Sequence, residues 1–372
     1  MEHRIIYNAR GRIGIINETG TDERYIVPDV PDQIAWHRGP AFADGRRIIL
    51  MSTEGERTWE HNVRSHLWIH DFESGETTEI ATNDPPAAYV PACALLPGEK
   101  RIIVNPIFDH EQRVWTMNLD GTDQVPLTHE GEGFTYGVVL SPRSRHIAFH
   151  VTEPSGYHIV SMSIDGTGRT SVAKMAGHLL FGPTWSPDGE WLVFQDCVPA
   201  NDPGHDRADL WIVKPDGSGL RRITEGQNHW FATSYGPPEA RGSGSNVAKW
   251  SPTKNELIYT RMLPGSRTAW QFKTDRPDTD HFNRDYLPDE ARGGTELCML
   301  DPFAGTLHAL TSPGEQVWDF RAEWSPDGTR IAFCRSKTGE PSGLWVMNAD
   351  GTDQHLLTTG PDGTGVDHPL WL

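Results

Sequence analysis

The sequence predicts an all-β fold: a single-domain, seven-bladed β-propeller of four-stranded antiparallel blades spanning residues 1–372. Three observations predict it. A turn motif of the Trp-Ser-Pro-Asp-Gly type recurs along the chain, and a short β-branched or aromatic run follows each copy. A second turn, Asp-Gly-Thr or a close variant, follows after one further strand, and both are hairpin chemistry because Asp and Gly tolerate positive φ. Helical periodicity is essentially absent. The spacing of about 40 to 45 residues, lengthened by insertions, is that of propeller blades.

The elements follow in order. The chain opens with three strand-like runs, Arg4 to Tyr7, Arg12 to Ile16 and Arg24 to Val27. Weaker copies of the first motif come next. Phe42-Ala43-Asp44-Gly45 precedes Ile48-Ile49-Leu50, and Leu96-Pro97-Gly98 precedes Arg101-Ile102-Ile103-Val104. Leu140-Ser141-Pro142 precedes His146-Ile147-Ala148-Phe149. The full copies are Trp185-Ser186-Pro187-Asp188-Gly189, Trp250-Ser251-Pro252 and Trp324-Ser325-Pro326-Asp327-Gly328. The second motif stands at Asp120-Gly121-Thr122, Asp165-Gly166-Thr167, Asp216-Gly217 and Asp350-Gly351-Thr352. Asp367-His368-Pro369-Leu370-Trp371 then reads as a first strand with no successors, while the three opening runs lack a first strand. Pairing the chain ends completes a seventh blade and removes exposed sheet edges. An open six-bladed ring is the alternative.

Composition bounds the function. Apolar residues make up 36% and charged residues 23%, which excludes a disordered chain. No run approaches the roughly 18 apolar residues of a membrane span. A formal net charge of -18 disfavours nucleic acid and anionic membranes as partners. It still admits a small anionic ligand in a locally positive pocket. Cys93, Cys197, Cys298 and Cys334 are far apart and read as free thiols. With no apolar signal segment at the start, the expected location is the cytoplasm.

The insertions fall on one face. Turns joining first to second and third to fourth strands are short, while the other face collects 52–65, 196–209, 226–245, 262–295 and 336–343. These segments carry Trp59, His61, His205, Asp206, His229, Trp230, Tyr235, Arg241, Trp270, Asp280, His281, Arg284 and Tyr286. Aromatic faces beside Arg and His suit a sugar ring bearing carboxylates. The upper ends of the first strands add His37, Arg38, Tyr136, His178, Asn246, Asp319, Arg321, Asp367 and His368 around the axis. His229, His281 and His368 are placed to converge on a metal from three blades. No nucleophile elbow, P-loop or dinucleotide fingerprint is present.

The two turn motifs resemble the WD40-like repeats of the TolB propeller family over nearly the whole chain. Among enzymes the chain resembles oligogalacturonate lyases, through Gly177-His178 and Asp367-His368-Pro369 at the heads of first strands. That resemblance implies a cytoplasmic seven-bladed propeller cleaving uronate-containing oligosaccharides by β-elimination. It also implies Mn²⁺ or another divalent cation held by three His and one Gln, although a Gln-x-x-His-x-His run is absent here. Elimination needs a base and a cationic partner for the carboxylate. The catalytic candidates are His178, His229, Arg241 and Arg321. His37, Arg38, Trp230, Tyr235, Arg284 and Asp319 are the candidates for binding substrate, with Asp319 orienting Arg321 or a His. The alternatives are a non-catalytic TolB-like propeller binding a sugar or protein partner, or a glycosidase using carboxylates from Asp206, Asp280 and Asp319.

Overall fold

The computed structural model describes residues 3–33, 35–54, 65–80, 93–108, 111–143, 145–153, 156–176, 178–197, 207–225, 228–229, 246–272 and 284–372. Nearly all regular structure among them is β-strand. No helix there is long and apolar enough to cross a membrane.

The strands form four-stranded antiparallel units in chain order. One unit comprises Ala35–Ala41, Arg47–Thr53, Ser65–Asp71 and Thr77–Glu79, and the next Cys93–Leu95, Arg101–Val104, Trp115–Asn118 and Val125–Pro126. Phe134–Leu140, His146–Glu153, Gly156–Ser163 and Thr170–Lys174 follow, then Leu179–Trp185, Leu192–Cys197, Arg207–Val213 and Arg221–Arg222. Lys249–Trp250, Leu257–Met262, Thr295–Leu300 and Leu307–Ala309 make another, and Val317–Trp324, Arg330–Lys337, Gly343–Asn348 and His355–Thr358 another. The C-terminal strand Asp367–Trp371 pairs antiparallel with Arg4–Ala9, placing Ile5 opposite Trp371 and Ile6 opposite Leu370. Arg12–Asn17 and Arg24–Ile26 complete that sheet. First strands of consecutive units lie against one another, as Phe134–Leu140 does against Leu179–Trp185 and Val317–Trp324 against Asp367–Trp371. The first strands therefore line the centre.

The core lies in the seams between units. Second strands read as apolar triplets because both of their faces are covered, and their side chains alternate between the two neighbours. Ile331 and Phe333 join Ile258 and Leu297 of the preceding unit, while Ala332 between them joins Ile5, Tyr7 and Trp371. Leu192 and Phe194 pack on Ala148 and Ile159, and Val193 packs on Tyr259 and Leu257. Ile6 packs with Trp36, Ile48 and Leu50 across the seam beside the chain ends. Truncating a fully buried Phe of this kind to Ala costs about 3–5 kcal/mol.

The motif residues have separate tasks. Ser186 Oγ donates to Asp188 Oδ1 at 2.5 Å and accepts the Trp191 N–H at 2.9 Å. Ser325 repeats both bonds with Asp327 and Arg330. Gly189 takes φ +73° and Gly328 +71°, a region that side chains strain to enter. The tryptophans reach across the seam. Trp185 Nε1 donates to the Val139 carbonyl at 3.4 Å, Trp324 to Lys249 at 3.3 Å and Trp371 to Glu323 at 3.1 Å. Each acceptor lies one residue before the equivalent position of the preceding unit. Trp250 Nε1 is buried without such a partner.

This asymmetry is testable. Trp324→Phe and Trp371→Phe each lower urea-unfolding stability by about 1 kcal/mol more than Trp250→Phe does, because only the first two lose an inter-unit hydrogen bond. Equal losses at all three positions would contradict the stitching role.

Candidate functional site

The first strands are not regular. Their pairing with second strands slips between Arg38 and Ala41, Tyr136 and Val139, Phe181 and Thr184, and Phe320 and Glu323. A further slip falls between Ile6 and Asn8 where Arg4–Ala9 faces Asp367–Trp371. Such β-bulges re-aim a side chain. At equivalent bulge positions Gly137 has φ +62° and Gly182 has φ +54°. Arg321 and His368 occupy the same position with φ +53° and +51°. The left-handed region costs an L side chain about 1–2 kcal/mol. Two adjacent first strands thus carry strained, chemically capable residues where two other units use glycine, and strain of this kind gathers at functional sites.

The strained residues meet at the axis. Arg321 Nε lies 2.7 Å from Asp367 Oδ1, and Nη1 donates to His368 Nε2. His368 Nδ1 lies 3.0 Å from Asp367 Oδ2. Arg38 arrives from the other side, where Nε donates to the His368 carbonyl at 2.5 Å and Nη2 to the Pro369 carbonyl at 3.0 Å. The Arg38 N–H donates to Asn8 Oδ1 at 3.0 Å. The Arg321 N–H donates to Asn246 Oδ1 at 3.3 Å, and Gln195 Nε2 donates to the Asn246 carbonyl. Polar contacts thus run unbroken from Gln195 through Asn246, Arg321 and His368 to Arg38.

Burial at this cluster works against positive charge. His368 keeps 43% of its side-chain surface open, yet it sits deep among protein groups. Burial first, and the Arg321 guanidinium second, push its pKa down to about 4, so the ring is neutral near pH 7. Burial also lowers the Arg38 pKa, against the pull of Glu323 and Asp367. Burial holds the Cys334 thiol protonated by raising its pKa well above the ordinary value.

A second polar centre lies higher on the wall. His178 Nδ1 is 2.9 Å from both carboxylate oxygens of Asp196, which lies on the neighbouring second strand. Asp196 is almost fully buried, and burial raises its pKa against the opposing effect of His178. A carboxylate fixing one imidazole nitrogen leaves the other, Nε2, to accept a proton. His178 precedes the bulge at Gly182 by four residues, a climb of about 13 Å along an extended strand.

The remaining expectations divide. Asp319 has no exposed side-chain surface and faces Arg335, with contacts of 2.6 and 2.9 Å. It neither reaches a ligand nor orients Arg321; Asp367 takes the latter role, because Asp319 and Arg335 are direct cross-strand partners. Alternation along the strand turns His37 to the opposite face from Arg38. The backbone of Arg284 lies in a short hairpin, Arg284–Tyr286 against Trp270–Phe272. That of His229 lies in Asn228–His229, paired with Arg207 and Ala208. The side chains of Arg284 and His229, and all of Trp230, Tyr235, Arg241 and His281, lie outside the described residues. His368 does not fit the expected role of metal ligand: Nε2 faces a guanidinium and Nδ1 faces Asp367. Among the described residues no group of three or more His, Cys, Asp or Glu is placed to hold a metal ion.

No family model matches the chain. It is 34% identical to the Tol-Pal system protein TolB of Syntrophus aciditrophicus, over 26% of this chain and 19% of that protein. The chain spans about half or less of the length of the curated relatives it matches. Its structure is similar to TolB from Acinetobacter baumannii, with TM-score 0.51 and 13% identity over 98% of this chain and 81% of that one. The fold is that of a TolB-like β-propeller. The propeller is also similar to an oligogalacturonate lyase in complex with manganese, with TM-score 0.58 and 15% identity over 95% of this chain and 84% of that one.

One feature of the propeller escaped the sequence reading. The apolar triplet of each second strand ends in a residue that faces the seam, often a polar one: Asn8, Asn105, His150, Gln195, Thr260 and Cys334. Asn8 and Gln195 hold the following first strand through the bonds above, and Asn105 Nδ2 donates to Thr135 Oγ1 at 2.9 Å. The signal was a polar residue following most of the triplets, though not Ile48-Ile49-Leu50, which Met51 follows. His150 stacks on Tyr136, with ring centroids 5.4 Å apart. Burial, aided by His158, pushes its pKa down to about 3.

The unfolded chain protonates this histidine near its ordinary pKa of about 6.5, while the folded chain resists until about pH 3. Its contribution is therefore complete above pH 6.5 and is lost as pH falls towards 3. His150→Gln, which copies the Gln195 position, flattens the fall in melting temperature over that window. An unchanged pH profile would show that His150 does not set the slope.

Proposed function

We propose that this TolB-like propeller is a cytoplasmic lyase that cleaves uronate-containing oligosaccharides by β-elimination in its central channel. The His178–Asp196 pair carries the reading. A base held by a buried carboxylate, at the head of a first strand on the face that collects the insertions, suits abstraction of the proton α to a carboxylate. The electron pair released forms the new double bond as the glycosidic oxygen leaves from the β carbon. Arg241 and Arg284, on the insertions, neutralise the substrate carboxylate, while Trp230 and Tyr235 stack on sugar rings. His229 is the second candidate base. The likeness to an oligogalacturonate lyase supports the reading.

We also infer a seven-bladed ring closed by the chain ends. The inter-unit hydrophobic seams support it, together with the pairing of Arg4–Ala9 with Asp367–Trp371. The second reading is a non-catalytic propeller that binds an acidic sugar or a protein, and the curated TolB matches favour it.

Ultraviolet absorbance of the conjugated double bond tests the lyase. Purified protein is incubated with a panel of uronate oligosaccharides, with Mn²⁺ and with chelator. Absorbance is expected to rise, and His178→Ala or Asp196→Asn is expected to slow it by about 10²-fold or more. A flat wild-type trace, with ligand-induced thermal stabilisation, would replace the lyase by the binding propeller.

A further inference from the structure

Among the described residues, the axial cluster below His178 carries an unbalanced positive charge. The Arg38 guanidinium bonds only to backbone carbonyls and forms no ion pair among the described residues. Arg321 has 7% of its side chain exposed, and its Nη2 is buried with no hydrogen-bond partner among the described residues. One carboxylate, Asp367, serves both guanidinium groups. The nearby Glu323 is already engaged by Lys249 at 2.9 Å. Among the described residues, Arg38, Arg321 and Lys249 therefore outnumber Asp367 and Glu323 by at least one charge. An uncompensated buried cation is costly, and a seated anion removes that cost.

We propose that the axis between Arg38, Arg321 and His368 is a carboxylate subsite, filled by a uronate unit other than the one undergoing elimination. A guanidinium fork matches a planar carboxylate better than a tetrahedral anion. The backbone supports the assignment independently. Arg321 and His368 are held in the left-handed region at a position that Gly137 and Gly182 fill in other units, so each side chain is retained at a conformational cost. The climb of about 13 Å to His178 is spanned by an oligosaccharide and not by a monosaccharide. The preferred substrate is consequently an oligomer, with a monomeric uronate binding at the axis without being cleaved. The inference rests on the lyase reading for the identity of the sugar, and on the cluster alone for its charge and shape.

Calorimetric titration of the full chain with galacturonate, galactose and inorganic phosphate tests it. Galacturonate is expected to bind, more weakly as sodium chloride is raised, while galactose and phosphate bind at least about tenfold more weakly. Arg321→Gly removes the guanidinium and relieves the left-handed backbone, so it should fold while losing about tenfold or more in galacturonate affinity. Arg321→Lys, which keeps the charge and loses the fork, should fall between the two and serves if the glycine variant is unstable. Galactose or phosphate binding as tightly as galacturonate would overturn the subsite, as would unchanged affinity in both variants. Selective galacturonate binding without any double-bond formation from oligomers would leave the subsite standing and remove the lyase. Cleavage with no selective binding would do the reverse.

Discussion

Every unit of this protein depends on one constraint: its second strand is apolar on both faces and must be covered on both. Ile331-Ala332-Phe333 cannot be satisfied by one neighbour, because alternation sends Ile331 and Phe333 one way and Ala332 the other. Each unit is thus incomplete alone and is completed by the units before and after it. The chain ends face the same demand. Ile5 and Tyr7 pack on Leu344 and Val346, while Ile6 packs on Ile48 and Leu50. The N-terminal strands are held there by polar groups as well. Glu23 Oε1 accepts hydroxyl bonds of 2.6 Å from Tyr7, Tyr25 and Thr358. Burial and this carboxylate raise the Tyr7 pKa far above its ordinary value.

That demand also explains where chemistry can be placed. Second-strand side chains are committed to the seams, and the turns of one face are committed to Asp, Gly and Ser. What remains free is the upper half of each first strand and the loops beside it. The bulge turns a first-strand residue out of the regular alternation, and its N–H then needs an acceptor. Asn8 and Asn246 supply acceptors to Arg38 and Arg321. Glycine meets the backbone requirement at no steric cost, so a residue with a reactive side chain at this position is informative.

Much of the architecture was legible in the sequence because turn chemistry is local. Ser186, Asp188 and Gly189 make bonds within five residues of one another, so the motif announces its own structure. The role of its tryptophan was not legible, since the acceptor of Trp185 lies 46 residues away. The site was legible to the same degree. The residue types of Arg38, Arg321 and His368 stood out at their strand positions. Their partners did not, because Asp319 stands two residues from Arg321 while its actual partner Asp367 stands 46 residues away, and the bulge decides for the distant one. Asp319 stays in regular pairing and faces Arg335, whereas Asp367 reaches Arg321 from the adjacent first strand, the last of the chain. Asp196 was similarly hidden, being a second-strand residue just past the apolar triplet and Gln195.

The acidic composition looks at odds with an anionic ligand until the acids are placed. Asp71, Asp120, Asp165, Asp216, Asp327 and Asp350 all stand in turns, where backbone or side-chain hydrogen bonds lower their pKa values. Asp71 and Asp327 reach about 2. These carboxylates are structural, and they lie on the face of short turns. A first strand of seven residues such as Leu179–Trp185 carries the chain about 23 Å from that face to the other. Screening reduces exposed charges to little effect beyond about 8 Å at physiological salt. These turn carboxylates, part of a net charge of -18, are therefore screened from the axis. The axis answers to nearer groups, and there the guanidinium groups prevail. A wall of low dielectric concentrates their field in the channel, so a protein acidic overall can still draw carboxylates to its centre.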